Sequence, residues 1–173
     1  MPSRYRIEEL GQQHDRSAFD CGSEPLNRYL VQQVTQDIRR RVAACFVAVE
    51  QDAIAGYYTL ASAGIALTDL PADTAQKLPR YPSVPAVRMG RLAVHRRFQG
   101  QGLGGVLVAD ALMRALRAEI AAFALIVDAK DDAAVAFYQH YGFMGFGDNP
   151  RTIFLPLAAV KPRNVQLLAR RHF

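Results

Sequence analysis

Between residues 86 and 119 the chain passes from an extended, branched stretch, AVRMGRLAVH, through RFQGQGLGG and into a helical pattern. Val106, Ala109, Met113, Leu116 and Ile120 recur at three- and four-residue steps, which predicts a helix from about Gly102 to Glu119. The glycines at the junction, Gly100, Gly102, Gly104 and Gly105, keep Cβ atoms out of one small volume and permit positive φ there. A strand ending this way aims several backbone N–H groups, with the positive end of a helix dipole, at one point. That arrangement suits phosphate. A tight turn with no ligand would use the same glycines, so the spacing must say more.

A nucleoside triphosphate loop requires Lys-Ser or Lys-Thr after its last glycine, whereas Val106 follows Gly105 here. The dinucleotide fingerprint, G-x-G-x-x-G near the first strand, does not fit a loop that lies past mid-chain. What remains is Gln99-x-x-Gly102-x-Gly104.

The 173 residues, half of them apolar, suffice for a single domain with a substantial core. A net charge of +5 favours an anionic partner, whether nucleic acid, a phosphorylated cofactor or both. The basic residues cluster. Arg39, Arg40 and Arg41 close one helix, Arg88, Arg91, Arg96 and Arg97 crowd the glycine loop, and Lys161, Arg163, Arg170 and Arg171 fill the C-terminal tail. Each cluster reads equally well as a solvated face or an anion contact. Cys21 and Cys45 have no paired metal spacing, and His14, His95, His140 and His172 have no ligand pattern. Neither a metal site nor a disulfide framework is expected, and both cysteines read as small buried side chains. The charged start MPSRYRIEEL is unlike a secretory signal, and apolar runs such as AAFALIV at 121–127 are too short for a bilayer. A cytoplasmic protein without a membrane partner is expected.

The remaining pattern gives a strand at 4–8 and a helix from Ser23 with Pro25 in its first turn and Leu26, Tyr29, Leu30, Val34 and Ile38 inward. Asn27, Arg28, Gln32, Gln36 and Arg39 fall on its far side. Strands at 44–50 and 54–66 flank the turn Gln51-Asp52-Ala53. Pro71, Pro79, Pro82 and Pro85 leave room for at most one short helical turn. After the glycine helix come a strand at 122–128, a helix capped by Asp131 or Asp132 and ended by Gly142, and strands at 143–147 and 151–157. This order predicts an α/β (α+β) fold with a mixed, mostly antiparallel sheet and helices on both faces.

At this point the sequence resembles a known family. Gln99-x-x-Gly102-x-Gly104 after GRLAV is similar to the acyl-CoA signature of the GNAT N-acetyltransferases, and AVAFYQHYGF at 134–143 is similar to their second motif. FDCGSEPLNRYL at 19–30, GYYTLA at 56–61, LPRYPSVP at 78–85 and MGRLAV at 89–94 together resemble the acetyltransferase toxins of type II toxin–antitoxin modules. Those toxins acetylate the amino acid on charged tRNA. The likeness covers roughly residues 19–156 and leaves 157–173 as an extension of unknown role within one domain, 1–173.

The resemblance implies acetyl-CoA as co-substrate. Its pantetheine arm would pair with the backbone of Leu92, Ala93 and Val94, and its pyrophosphate would lie on Gln99, Gly100, Gln101, Gly102, Leu103, Gly104 and Gly105. Tyr138 matches the family's tyrosine and would give a proton to the departing thiolate; an amide of Ala93 or Val94 would hold the oxyanion. Glu50, Asp52, Asp128, Asp131 and Asp132 stand near strand ends, and none is singled out as a base. Arg39, Arg40, Arg41, Arg88 and Arg91 are candidates for the tRNA acceptor end. A ribbon-helix-helix antitoxin and a homodimer are implied by resemblance alone. Two rival readings keep part of this: an acetyltransferase acting on a polyamine, antibiotic or protein amine, and a non-catalytic acyl-CoA-binding module.

Overall fold

The computed structural model describes residues 3–165, so Arg170, Arg171 and His172 lie outside the described residues. Seven strands form one sheet in the order β1-β2-β3-β4-β5-β7-β6. They are β1 (Arg6–Glu9), β2 (Ala44–Glu50), β3 (Ala53–Ala66), β4 (Ser83–Val94), β5 (Ala124–Asp128), β6 (Met144–Gly145) and β7 (Thr152–Pro156). Every neighbouring pair is antiparallel except β4 with β5. The expected mixed sheet is therefore present.

Gln51 and Asp52 both adopt positive φ, and Glu50 pairs with Ala53, so the β2–β3 hairpin closes on two residues. Ala53 belongs to the strand and not to the turn. Positive φ at both central positions matches the twist of the flanking strands.

Helices cover both faces. On one, α4 (Leu103–Arg117) and α5 (Asp132–His140) close over Tyr58, Met89, Leu125, Val127 and Ile153. On the other, α1 (Glu24–Arg28) and α2 (Val34–Arg39) pack on Val47, Val49, Tyr57 and Ala93, while α3 (Ala72–Gln76) lies by Ile65, Ile126 and Phe154. Between α1 and α2 the helix widens into a π turn, Tyr29–Gln33, in which Val34 N–H donates to Tyr29 O five residues back. Leu157 and Val165 are buried in the α4-side core, so the first part of the extension packs onto the domain.

The helix after the glycine loop forms as expected but buries a different stripe. Of the expected stripe only Ala109 is buried, together with Leu103, Leu107, Val108, Ala111, Leu112 and Ala115; Val106, Met113 and Leu116 lie on the flank, and Ile120 stands beyond the helix, 85% exposed. A segment this rich in apolar residues offers more than one stripe, and the small alanines win because they allow close approach. Two contacts fix that approach. Gly56 lets α4 in so near that a Cβ would stand 2.9 Å from Ala93 O and 3.0 Å from Leu107 Cδ1. Tyr58 donates its hydroxyl to Asp110 Oδ2 at 2.5 Å, and Arg114 pairs with the same carboxylate.

Candidate active site

Strand β4 is held by β3 along its whole length, through Gly56 opposite Val94, but pairs with β5 only from Ala86 to Met89. Thr59 faces Arg91 while Leu60 faces Met89, which leaves Gly90 as an unmatched bulge residue. Beyond it, β4 and β5 part. Bulges bend a strand, and one here opens a wedge in the sheet. Ladder groups alternate sides, and His95 N–H donates to Ala55 O at 2.8 Å. That alternation turns Ala93 toward β3, and turns the amides and carbonyls of Leu92 and Val94 toward the open side.

The glycine loop closes one end of the wedge. Gly100 has φ of 74° and Gly102 of 83°, the second capping α4 in the left-handed region, where side chains other than glycine are strained. Gln99, Gly100, Gly102, Leu103, Gly104 and Gly105 line a cavity of about 560 Å³ with Val94. Phe137 and His140 of α5, with Tyr141 at its C-terminal end, form its other wall. A Cβ on Gly100 would meet nothing within 4 Å, so the bare backbone faces open space; one on Gly104 would stand 3.4 Å from Phe137 Cζ. This cradle fits a diphosphate. Gln101 is the exception among the predicted residues: its amide donates to Arg97 O and accepts from Arg4, away from the cavity. The Gln99 side chain acts as a brace, donating from Nε2 to Val94 O and to Cys21 O, both at 2.9 Å.

A second cavity, of about 360 Å³, occupies the wedge itself and shares Phe137 with the first. Leu92, Gly90 and Arg91 line it from β4, Asp128 from β5, and Tyr138 from α5. Tyr138 is 5% exposed, its ring edge-on to Phe137 and Phe143. Burial, reinforced by the nearby Asp128 charge, raises its pKa above the ordinary phenol value, so the hydroxyl stays protonated. Ala93 is packed in the core, whereas Leu92, whose amide is turned to the open side, lines this cavity.

The carboxylates sort by location. Asp128 and Asp131 line the wedge, while Glu50 pairs with Arg4 and Asp132 lies near Arg151. Asp128 accepts from Arg88 at 2.5 Å and from Thr152 at 3.1 Å, and Asp131 accepts from Ala134 N–H as the cap of α5. Among the described residues, no group of three or more His, Cys, Asp and Glu could hold a metal ion.

The arginines divide as well. Arg91 lines the wedge, its guanidinium 3.5 Å from the centroid of the Tyr29 ring, and Arg88 is tied to Asp128 beside it. Arg39, the last residue of α2, and Arg40, its C-cap, are exposed, and Arg41 lines a separate cavity with Ala61 and Ser62. That cavity has no lining residue in common with the wedge or the cradle. Sequence reasoning missed Leu26, Lys130, Ala133 and Ala134, which complete the wedge. No local signal marks them, since they meet only through the fold.

Residues 9–143 match the model of the acetyltransferase (GNAT) family. A tRNA-acetylating toxin of Mycobacterium tuberculosis (strain ATCC 25618 / H37Rv) is 35% identical over 131 residues, 75% of this chain and 78% of that protein. The structure of AtaT complexed with acetyl-methionyl-tRNAfMet superposes with a TM-score of 0.80 at 30% identity, covering 95% of this chain and 98% of that one. A mutant AtaT toxin bound to the C-terminus of the antitoxin AtaR and acetyl-CoA gives 0.73 at 28% identity, covering 96% and 98%. The wedge between β4 and β5, the glycine cradle and the matched length agree: this chain belongs to the GNAT family of acetyltransferases.

Proposed function

We propose that this chain is a toxin that transfers acetyl from acetyl-CoA to the amino group of aminoacyl-tRNA and so blocks translation. The observation that carries the reading is the wedge, where one cavity joins the open edge of β4 to Tyr138 and abuts the glycine cradle. Acetyl-CoA supplies the acetyl group as an activated thioester. Backbone groups of Val94 would pair with its pantetheine arm, and the amides of Gly100, Gly102, Leu103, Gly104 and Gly105 would hold its pyrophosphate.

The amine enters from the Leu26 and Arg91 side and forms its bond to the acetyl carbon, whose oxygen is met by the Leu92 amide. Because Ala93 faces β3 and Val94 lines the cradle, Leu92, which shares the wedge with Tyr138, takes the oxyanion role expected of Ala93 or Val94. As the carbon–sulfur bond breaks, Tyr138 passes its proton to the sulfur. The strongly basic phenolate so formed retakes the proton that the acetylated nitrogen sheds.

Charge supports a nucleic-acid substrate over a polyamine. The acids lining the wedge are engaged, Asp128 by Arg88 and Thr152 and Asp131 by the α5 cap, while Arg91 and Lys130 line it as cations. A cationic amine would be repelled there, and a polyanion would be drawn in. The identity to a tRNA-acetylating toxin points the same way. We assign an antitoxin as partner, of the ribbon-helix-helix class, and a homodimer as the working form.

The test is incubation with radiolabelled acetyl-CoA and a total pool of charged tRNA, with deacylated tRNA and polyamines as controls. Label on charged tRNA alone is expected. Label on polyamines, or none on RNA, overturns the substrate assignment.

A further inference from the structure

The wedge continues, through Leu26 and Arg91, into a cavity of about 320 Å³ on the outer side of the first helix. Pro25, Arg28, Tyr29, Gln32 and Gln33 complete its lining. Its shape comes from the π turn: the extra residue in the Tyr29–Gln33 turn presents two consecutive glutamine side chains beside Arg28. Tyr29 is fixed from below, its hydroxyl donating to Asp37 Oδ2 at 2.9 Å, and its ring carries the Arg91 guanidinium at 3.5 Å. Among the described residues neither Arg28 nor Arg91 has an acidic partner. Two unpaired guanidiniums and two free amides thus converge on one cavity next to the acceptor site.

Resting on the proposed function, we infer that this cavity is the subsite for the terminal adenylate of the acceptor end. An α-amino group that reaches Tyr138 is joined through its ester to a ribose, and the adenine and 5′-phosphate follow within a few bonds. The cavity that shares a wall with the wedge is where they must go. Each side chain has a matching chemistry: Arg28 pairs with the phosphate, the half-buried Arg91 plane stacks on the base, and the glutamine amides read the adenine edge. A volume of about 320 Å³ stands at the small end of ligand sites and suits one nucleotide.

The experiment compares two acceptors: the charged tRNA that the wild type labels, and the methyl ester of the same amino acid, which has the amine and ester but no nucleotide. Arg28→Ala and the double variant Gln32→Ala with Gln33→Ala alter exposed side chains, so the fold should persist. Either variant should lower the kcat/KM ratio of charged tRNA to methyl ester by about 10- to 100-fold, mainly through KM, as the loss of a charge-assisted contact gives. Arg28→Lys should recover most of the loss for Arg28→Ala. A ratio within twofold of wild type in every variant, or equal losses on both acceptors, overturns the subsite. A wild type that leaves charged tRNA unlabelled overturns the proposed function and the subsite with it.

Discussion

Replacing Tyr138 with phenylalanine isolates the chemistry from the fold. The side chain is 5% exposed and held by rings, its centroid 5.2 Å from Phe137 and 5.4 Å from Phe143, and both contacts survive the substitution. Its hydroxyl has no hydrogen-bond partner among the described residues, so its loss leaves no orphaned group, and stability should change by less than about 1 kcal/mol. What disappears is the proton donor in the wedge. A positioned acid contributes about 10²- to 10⁴-fold, or about 3–5 kcal/mol of barrier. Thiol release from acetyl-CoA in the presence of charged tRNA measures kcat directly, and calorimetry on acetyl-CoA should show an affinity close to wild type. Growth arrest on expression should vanish with the activity. Because the phenol's pKa is raised, wild-type kcat should show no loss from Tyr138 ionisation below pH ~10. A variant whose kcat stays within threefold of wild type, with its Tm unchanged, would refute the assignment of Tyr138 as the acid.

Gly102→Asp puts a carboxylate where φ is 83° and where the diphosphate would lie, so acetyl-CoA binding should fall below detection by calorimetry; retained affinity would sink the cradle. Gly56→Ala places a Cβ 2.9 Å from a backbone oxygen that cannot swing away, which should cost about 1–3 kcal/mol in a thermal melt; an unchanged Tm would contradict the packing of α4 on β3. Stability should also fall in alkali. Burial pushes the Cys45 thiol from its ordinary 9.0 up to about 12 and raises the Tyr57 and Tyr58 phenols above 10.0. The unfolded chain ionises these groups first, so stability is full below pH 9 and drains away as pH climbs toward 12; a denaturation midpoint flat from pH 7 to 11 would argue against their burial.

What could be read in advance was whatever chemistry is written locally. The cradle was legible because Gly100 and Gly102 need their backbone freedom whatever surrounds them, and both adopt it. Asp131 was legible as a cap for the same reason, its carboxylate and the Ala134 amide lying three residues apart. The wedge was not, because nothing in Arg91–Val94 says that β5 stops pairing at Val127; only Gly90, a glycine inside a strand, hinted at a bulge. Choosing among arginines failed in part on the same ground. Arg91 reaches the site because the bulge turns it over Tyr29, whereas Arg41 is carried to another cavity by the left-handed end of α2. Arg28 fell on what a regular helix would make a solvent face, and a π turn leaves no mark on apolar spacing: Leu26, Tyr29, Leu30 and Val34 keep their three- and four-residue steps through it. Side-chain periodicity reports which residues are buried; it does not report how many backbone atoms each hydrogen bond encloses. The cavity beside the wedge depends on that second quantity, which is why it emerges only once the chain is folded.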